Sequence, residues 1–139
     1  MSSVPGPMSW SWPAEASSVS PARHTVVDWL RRHSTPDPPL SDIALVLSEA
    51  MSNAVTHAYV GHPEPGEIHV AVLVEDDEVM VAVEDHGNGL SPRPDSPGLG
   101  YGLALMMALS LRFEAQTADS RGTRLRLWFS RDPADVTLE

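Results

Sequence analysis

The fold is written most plainly in EIHVAVLVEDDEVMVAVEDHGNG, residues 67–89. Ile68, Val70, Val72 and Val74 share one face of an extended chain, and Val79, Val81 and Val83 repeat the pattern beyond the acidic turn Glu75-Asp76-Asp77-Glu78. Successive side chains of a strand point to opposite faces, so this period of two describes strands covered on one side by a second layer. Two such runs joined by a short polar turn predict an antiparallel hairpin of 67–75 with 78–85. After Asp85 the period stops. Residues 86–98 carry three glycines together with Pro92, Pro94 and Pro97, which predicts a loop.

On the C-terminal side a helix is expected from about Tyr101 to Leu111, with Met106 and Met107 in the core. A second hairpin follows, 113–118 with 123–130, turning through Asp119-Ser120-Arg121-Gly122 and facing Leu125, Leu127 and Phe129 inward. On the N-terminal side Ser41 and Asp42 are placed to cap a helix whose apolar stripe is Ile43, Leu47, Ala50, Met51, Ala54 and Ala58, ending near Gly61. Before the Pro36, Pro38 and Pro39 linker, Ser20 as N-cap and Pro21 at the first helical position open another helix, with Ala22, Val26, Trp29 and Leu30 at helical spacing to about His33. Met8, Trp10 and Trp12 alternate with serines in an edge strand ending at Pro13. The order βααββαββ predicts an α/β (α+β) two-layer sandwich, a mostly antiparallel sheet with its helices on one face. Residues 1–7 read as a disordered lead, 8–130 as one domain and 131–139 as a frayed tail.

The chain of 139 residues is long enough for one self-sufficient core. With no cysteine it has neither disulfides nor thiolate metal sites, and cytoplasm is the expected location. No apolar run approaches the roughly 20 residues that span a bilayer. A formal charge of -10 repels phosphate backbones and anionic lipid, so neither nucleic acid nor membrane is an expected partner. One nucleotide escapes this argument, because backbone N–H groups and a magnesium ion can hold it locally.

Three patterns carry chemistry. Glu49 and Asn53, four apart, share a helical face, with His57 extending the stripe; Asn53 offers a hard amide oxygen suited to Mg²⁺, and Glu49 could polarise an incoming hydroxyl. Such a pair is also what an ordinary solvated helix face contains. Asp85 closes a strand where its carboxylate can accept a hydrogen bond from an exocyclic amine such as adenine's, while Gly87 and Gly89 let the backbone approach a flat base; tight turns use the same residues. Gly98-Leu99-Gly100-Tyr101-Gly102 precedes helical sequence, presenting free N–H groups to phosphates, or else forming a hinge. It matches neither the dinucleotide fingerprint nor the P-loop. His62, His69 and His86 have no recognised metal spacing, and Trp10, Trp12, Trp29 and Trp128 suit either a protein interface or core and edge packing.

In order and spacing these patterns resemble the N, G1 and G2 boxes of the Bergerat ATPase superfamily. Within it the chain is most similar to bacterial anti-sigma factors that double as serine-protein kinases, through Glu49-Ala50-Met51-Ser52-Asn53-Ala54-Val55-Thr56-His57-Ala58-Tyr59 and on to Gly122-Thr123. The resemblance implies a Bergerat ATP-binding fold. It makes Glu49 the catalytic base and Asn53 the Mg²⁺ ligand, has Asp85 read the adenine amine, and sets Gly87 and Gly89 beside the base. Gly98, Gly100 and Gly102 would contact phosphates, Thr123 would support the adenine site, and residues 90–99 would form a lid over ATP. One departure stands out: family members often carry a basic residue at the end of the lid or among the G2 glycines, where this chain has Pro97, Leu99 and Tyr101, leaving Arg93 as the lid's only cation.

The function so implied is an ATP-binding anti-sigma factor and serine kinase, a homodimer that sequesters a sigma factor and phosphorylates an antagonist protein. The alternatives are a catalytically silent ATP-binding module and a histidine-kinase-type ATPase domain, the latter disfavoured because no phosphoacceptor region precedes residue 10.

Overall fold

The structure is a computed structural model that describes residues 5–33, 35–36, 39–59, 61–64, 66–87, 98–116 and 122–131, and for 98–101 the backbone alone. Five strands, β1 (Met8–Pro13), β2 (Glu67–Val74), β3 (Glu78–Asp85), β4 (Arg112–Gln116) and β5 (Thr123–Ser130), form one antiparallel sheet in the order β1-β2-β3-β5-β4. Three helices, α1 (Val19–Arg32), α2 (Pro39–Asn53) and α3 (Gly98–Leu109), make the second layer of the expected two-layer sandwich.

Register explains the core. Val70 stands opposite Val83 and Val72 opposite Val81, and the next pairing sets Val83 against Leu125 and Val81 against Leu127. All of these residues are buried, together with Ile43, Leu47, Ala50 and Met51 of α2. Helix α2 packs against both α1 and α3. Trp10 stacks on Trp12 at 6.2 Å and meets Trp29 edge-on at 6.1 Å, tying β1 to α1. Trp128 instead lies under the Arg112 guanidinium, 4.8 Å from its ring centre.

The helix ends differ from the sequence expectations. A 3₁₀ turn, Ala16–Ser18, leads into α1, so Ser18 occupies the cap position, and the Ser20 hydroxyl accepts a hydrogen bond from Arg23. Pro21 fits inside that first turn because N–H groups there have no partner within the helix to lose. Helix α2 opens on Pro39, whose fixed φ suits a first helical position, so Ser41 and Asp42 lie within the first turn instead of capping it. It does not run on as α-helix to Gly61 but passes into a π-helical turn, Ala54–Ala58. Helix α3 begins at Gly98, three residues earlier than expected: the glycine run is its first turn. Each glycine costs about 1 kcal/mol there, which the apolar turns that follow can offset by docking Met106, fully buried. Met107 is 60% exposed, against expectation, because neighbours on a helix point about 100° apart and only one can face the sheet.

Candidate functional site

Helix α2 ends beside the first turns of α3, and two polar side chains of α2 line that contact. A Cβ built on Gly102 would lie 2.6 Å from Asn53 Nδ2 and 2.9 Å from Glu49 Oε2. Any side chain at 102 would therefore displace one of them, and the structure brings together Glu49, Asn53 and Gly102 from distant parts of the chain. Gly98 and Gly100 lie in the same first turns of α3, where backbone N–H groups lack helical acceptors. Asn53 Nδ2 is buried and has no hydrogen-bond partner among the described residues. Leaving such a donor unmatched costs about 1–3 kcal/mol, and the π-helical geometry that starts at the next residue is often found at functional sites.

The second half of the site is where β3 ends. Strand order places β3 directly beside β5, so Asp85 stands opposite Thr123; the two are 7% and 5% exposed. Asp85 Oδ1 accepts a hydrogen bond from the Gly87 N–H at 2.9 Å. A Cβ on Gly87 would overlap the Ala58 carbonyl oxygen, so this turn is seated on the end of the π turn. Gly89 and residues 90–97 of the expected lid, Arg93 included, lie outside the described residues.

Residues 12–129 match the histidine kinase-like ATPase domain. The chain belongs to that family. Among its relatives are anti-sigma F factors of Bacillus cytotoxicus, 28% identical over 131 residues that span 86% of this chain and 89% of the relative, and of Bacillus thuringiensis, 27% identical over the same extent. The solved RsbU and RsbW domains of a Mycobacterium tuberculosis protein superpose with a TM-score of 0.71 at 25% identity, covering 90% of this chain but only 32% of that longer one. A histidine kinase domain from a blue-light activated kinase of Erythrobacter litoralis, 18% identical with a TM-score of 0.55, shares the fold. The resemblance to the anti-sigma branch of the Bergerat superfamily therefore holds.

Within this histidine kinase-like ATPase domain the sequence reading missed two parts of the site. Gly122 adopts φ +84°, and a Cβ there would overlap the Asp85 carbonyl, so only glycine lets β5 start this close to the end of β3. Its position before Thr123 was the available signal, which reads equally as a plain turn. Tyr59, the last residue of the N box, bonds to the backbone of Glu67 at the start of β2 and of His86 just after β3. On the outer sheet face His69 Nδ1 lies 2.7 Å from Ser11 Oγ, its ring is 5.6 Å from that of His86, and Arg124 pairs with Glu84 at 2.8 Å.

Burial raises the Asp85 carboxyl above its ordinary value; the Gly87 N–H, His86 and the Thr123 backbone offset this in part. A carboxyl whose folded pKa is raised holds its proton more tightly in the native state. Its effect on stability is most favourable below the unfolded pKa, and is lost as pH rises towards the folded pKa. Asp85→Asn is accordingly expected to remove a contribution that falls with pH, so that the wild-type-minus-variant difference in stability decreases as pH rises and the ligand-free variant is no less stable than wild type at neutral pH. Urea unfolding of both proteins between about pH 3 and 7 checks this; a wild-type-minus-variant difference that grows with pH in favour of wild type contradicts it.

Proposed function

We propose that this histidine kinase-like ATPase domain binds Mg-ATP and works as an anti-sigma factor and serine-protein kinase, holding a sigma factor and phosphorylating a serine of an antagonist protein. The observation that carries the reading is the unmatched Asn53 Nδ2, a buried donor suited to a phosphate oxygen, held against the glycine turn of α3 beside Glu49. The named relatives support the anti-sigma part.

The same amide carries a hard oxygen of the kind magnesium takes. One neutral amide is enough for an ion that keeps several waters and takes its remaining ligands from phosphates, and the absence of a side chain at Gly102 leaves room beside it. When bound, Mg²⁺ neutralises charge on the phosphates. Asn53 would ligate the ion, the free N–H groups of Gly98 and Gly100 would donate to phosphate oxygens, and Gly102, without a side chain, would let a phosphate come into contact beside Asn53. Asp85, held as an acceptor beside Thr123, would take the hydrogen bond of the adenine amine, with Gly87 and Gly89 against the base. Glu49 would accept the proton of the attacking serine hydroxyl. The absence of a basic residue at 97, 99 and 101, at the end of the lid and among the G2 glycines, favours slow transfer, and it is also what supports the second reading, a silent module that keeps ATP as a structural ligand. Cytoplasmic location and a homodimer go with the proposal; among the described residues no helix is long and apolar enough to cross a membrane.

Calorimetry with ATP, with and without Mg²⁺, tests the binding claim, and phosphotransfer to the cognate antagonist tests the kinase. Mg²⁺-dependent binding with antagonist labelling is the expected result. Binding without labelling selects the silent module, and a protein blind to ATP removes both.

A further inference from the structure

We propose that Tyr59 is a positioning residue that holds the adenine end of the site in register with the Asn53 end. The inference rests on the nucleotide reading above and deepens it. Tyr59 follows directly on the π turn that continues α2 beyond Asn53. Its hydroxyl donates to the Glu67 carbonyl at 2.8 Å, where β2 begins, and accepts the His86 N–H at 3.0 Å, the first residue after β3. One phenol oxygen thus joins three segments that diverge in the sequence.

Two further contacts make this a brace and not a chance bond. Gly66 has no side chain where a Cβ would overlap the Tyr59 ring, so the backbone before β2 is cut away to seat it. Gly87 rests on the carbonyl of Ala58, the residue before Tyr59. Consecutive residues of the turn, His86 and Gly87, therefore sit on consecutive residues of the helix continuation, Tyr59 and Ala58. The Gly87 N–H in turn holds Asp85 Oδ1. The path from Asn53 through the π turn to Asp85 is continuous, and the phenol ties the helical layer to this turn by a side-chain hydrogen bond. Burial raises the phenol above its ordinary value, so it remains a donor at neutral pH; His62 meets the ring edge-on at 5.3 Å.

A hydroxyl with only a structural role would lower stability and leave nucleotide preference alone. A brace that aims Asp85 changes the preference. The test is Tyr59→Phe, which keeps the ring and removes both bonds, with ATP affinity measured by calorimetry and GTP by competition, in Mg²⁺, well below the melting temperature. Wild type is expected to prefer ATP, and the variant to lose about 5- to 20-fold of that preference, mostly through weaker ATP binding. A folded variant whose preference stays within about twofold of wild type overturns the inference, as does a wild type that binds ATP and GTP alike. Should Tyr59→Phe not fold, Gly66→Ala, which pushes the ring off its seat while keeping the hydroxyl, is judged by the same criterion. A wild type that binds no nucleotide overturns the functional reading itself, and the brace falls with it; intact ATP binding with unchanged preference removes the brace alone.

Discussion

Replacing Glu49 with glutamine is expected to slow phosphoryl transfer to a partner serine by about 10²–10⁴-fold while leaving ATP affinity within about threefold of wild type. Glu49 stands one helical turn from Asn53, half-buried, with an oxygen against the position a Gly102 side chain would take. Glutamine keeps that shape and its contact with α3 but cannot accept the proton of a serine hydroxyl. A group that acts only as the proton leaves contributes in the transition state and little in the ground state, so kcat falls and binding does not. The measurement is single-turnover phosphotransfer beside calorimetry on both proteins. Equal rates would remove Glu49 from the chemistry, and a parallel loss of ATP binding would make it a binding residue instead.

Asn53→Ala is expected to weaken Mg-ATP binding by about 100-fold or more without destabilising the ligand-free protein. The two effects share one cause. An amide buried with an unmatched N–H contributes little to the empty fold and costs about 1–3 kcal/mol in lost hydration. Alanine removes that cost and is the better helix former by up to about 0.7 kcal/mol. What alanine cannot supply is an oxygen for a metal or a donor for a phosphate. Thermal unfolding without ligand, set beside calorimetry with Mg-ATP, reads both sides. An unfolding midpoint well below wild type would make Asn53 a structural residue, and unchanged Mg-ATP binding would dismiss it as a ligand.

The strands were legible because their signal is local. The alternation from Ile68 to Val74 and from Val79 to Val83 names the buried face residue by residue, and the observed register keeps it. Helix ends were less legible. Whether α1 opens at Ser18 or Ser20, or α3 at Gly98 or Tyr101, depends on what the following turns can bury, and capping and glycine preferences of about 1 kcal/mol yield to that packing. The π turn after Asn53 has no pattern of its own: Ala54 and Ala58 fit an α-helical stripe equally well, and both are buried.

For the site, the sequence by itself determined which residue types are available: an amide and a carboxylate one turn apart, a carboxylate at a strand end, and a glycine run ahead of a helix. It also determined the order of elements, because hydrophobic period is a property of neighbours along the chain. Only the tertiary structure decided which of these groups meet. Glu49 and Asn53 come against Gly102 because α2 and α3 pack side by side, and Asp85 comes opposite Thr123 because β5 inserts between β3 and β4. These contacts join residues tens of positions apart. The sheet chooses its strand order by burying whole faces, and the loss of chain freedom that closes those loops grows only slowly with their length, so no local pattern could encode the meeting of Asp85 with Thr123, or the reach of Tyr59 to Glu67 and His86.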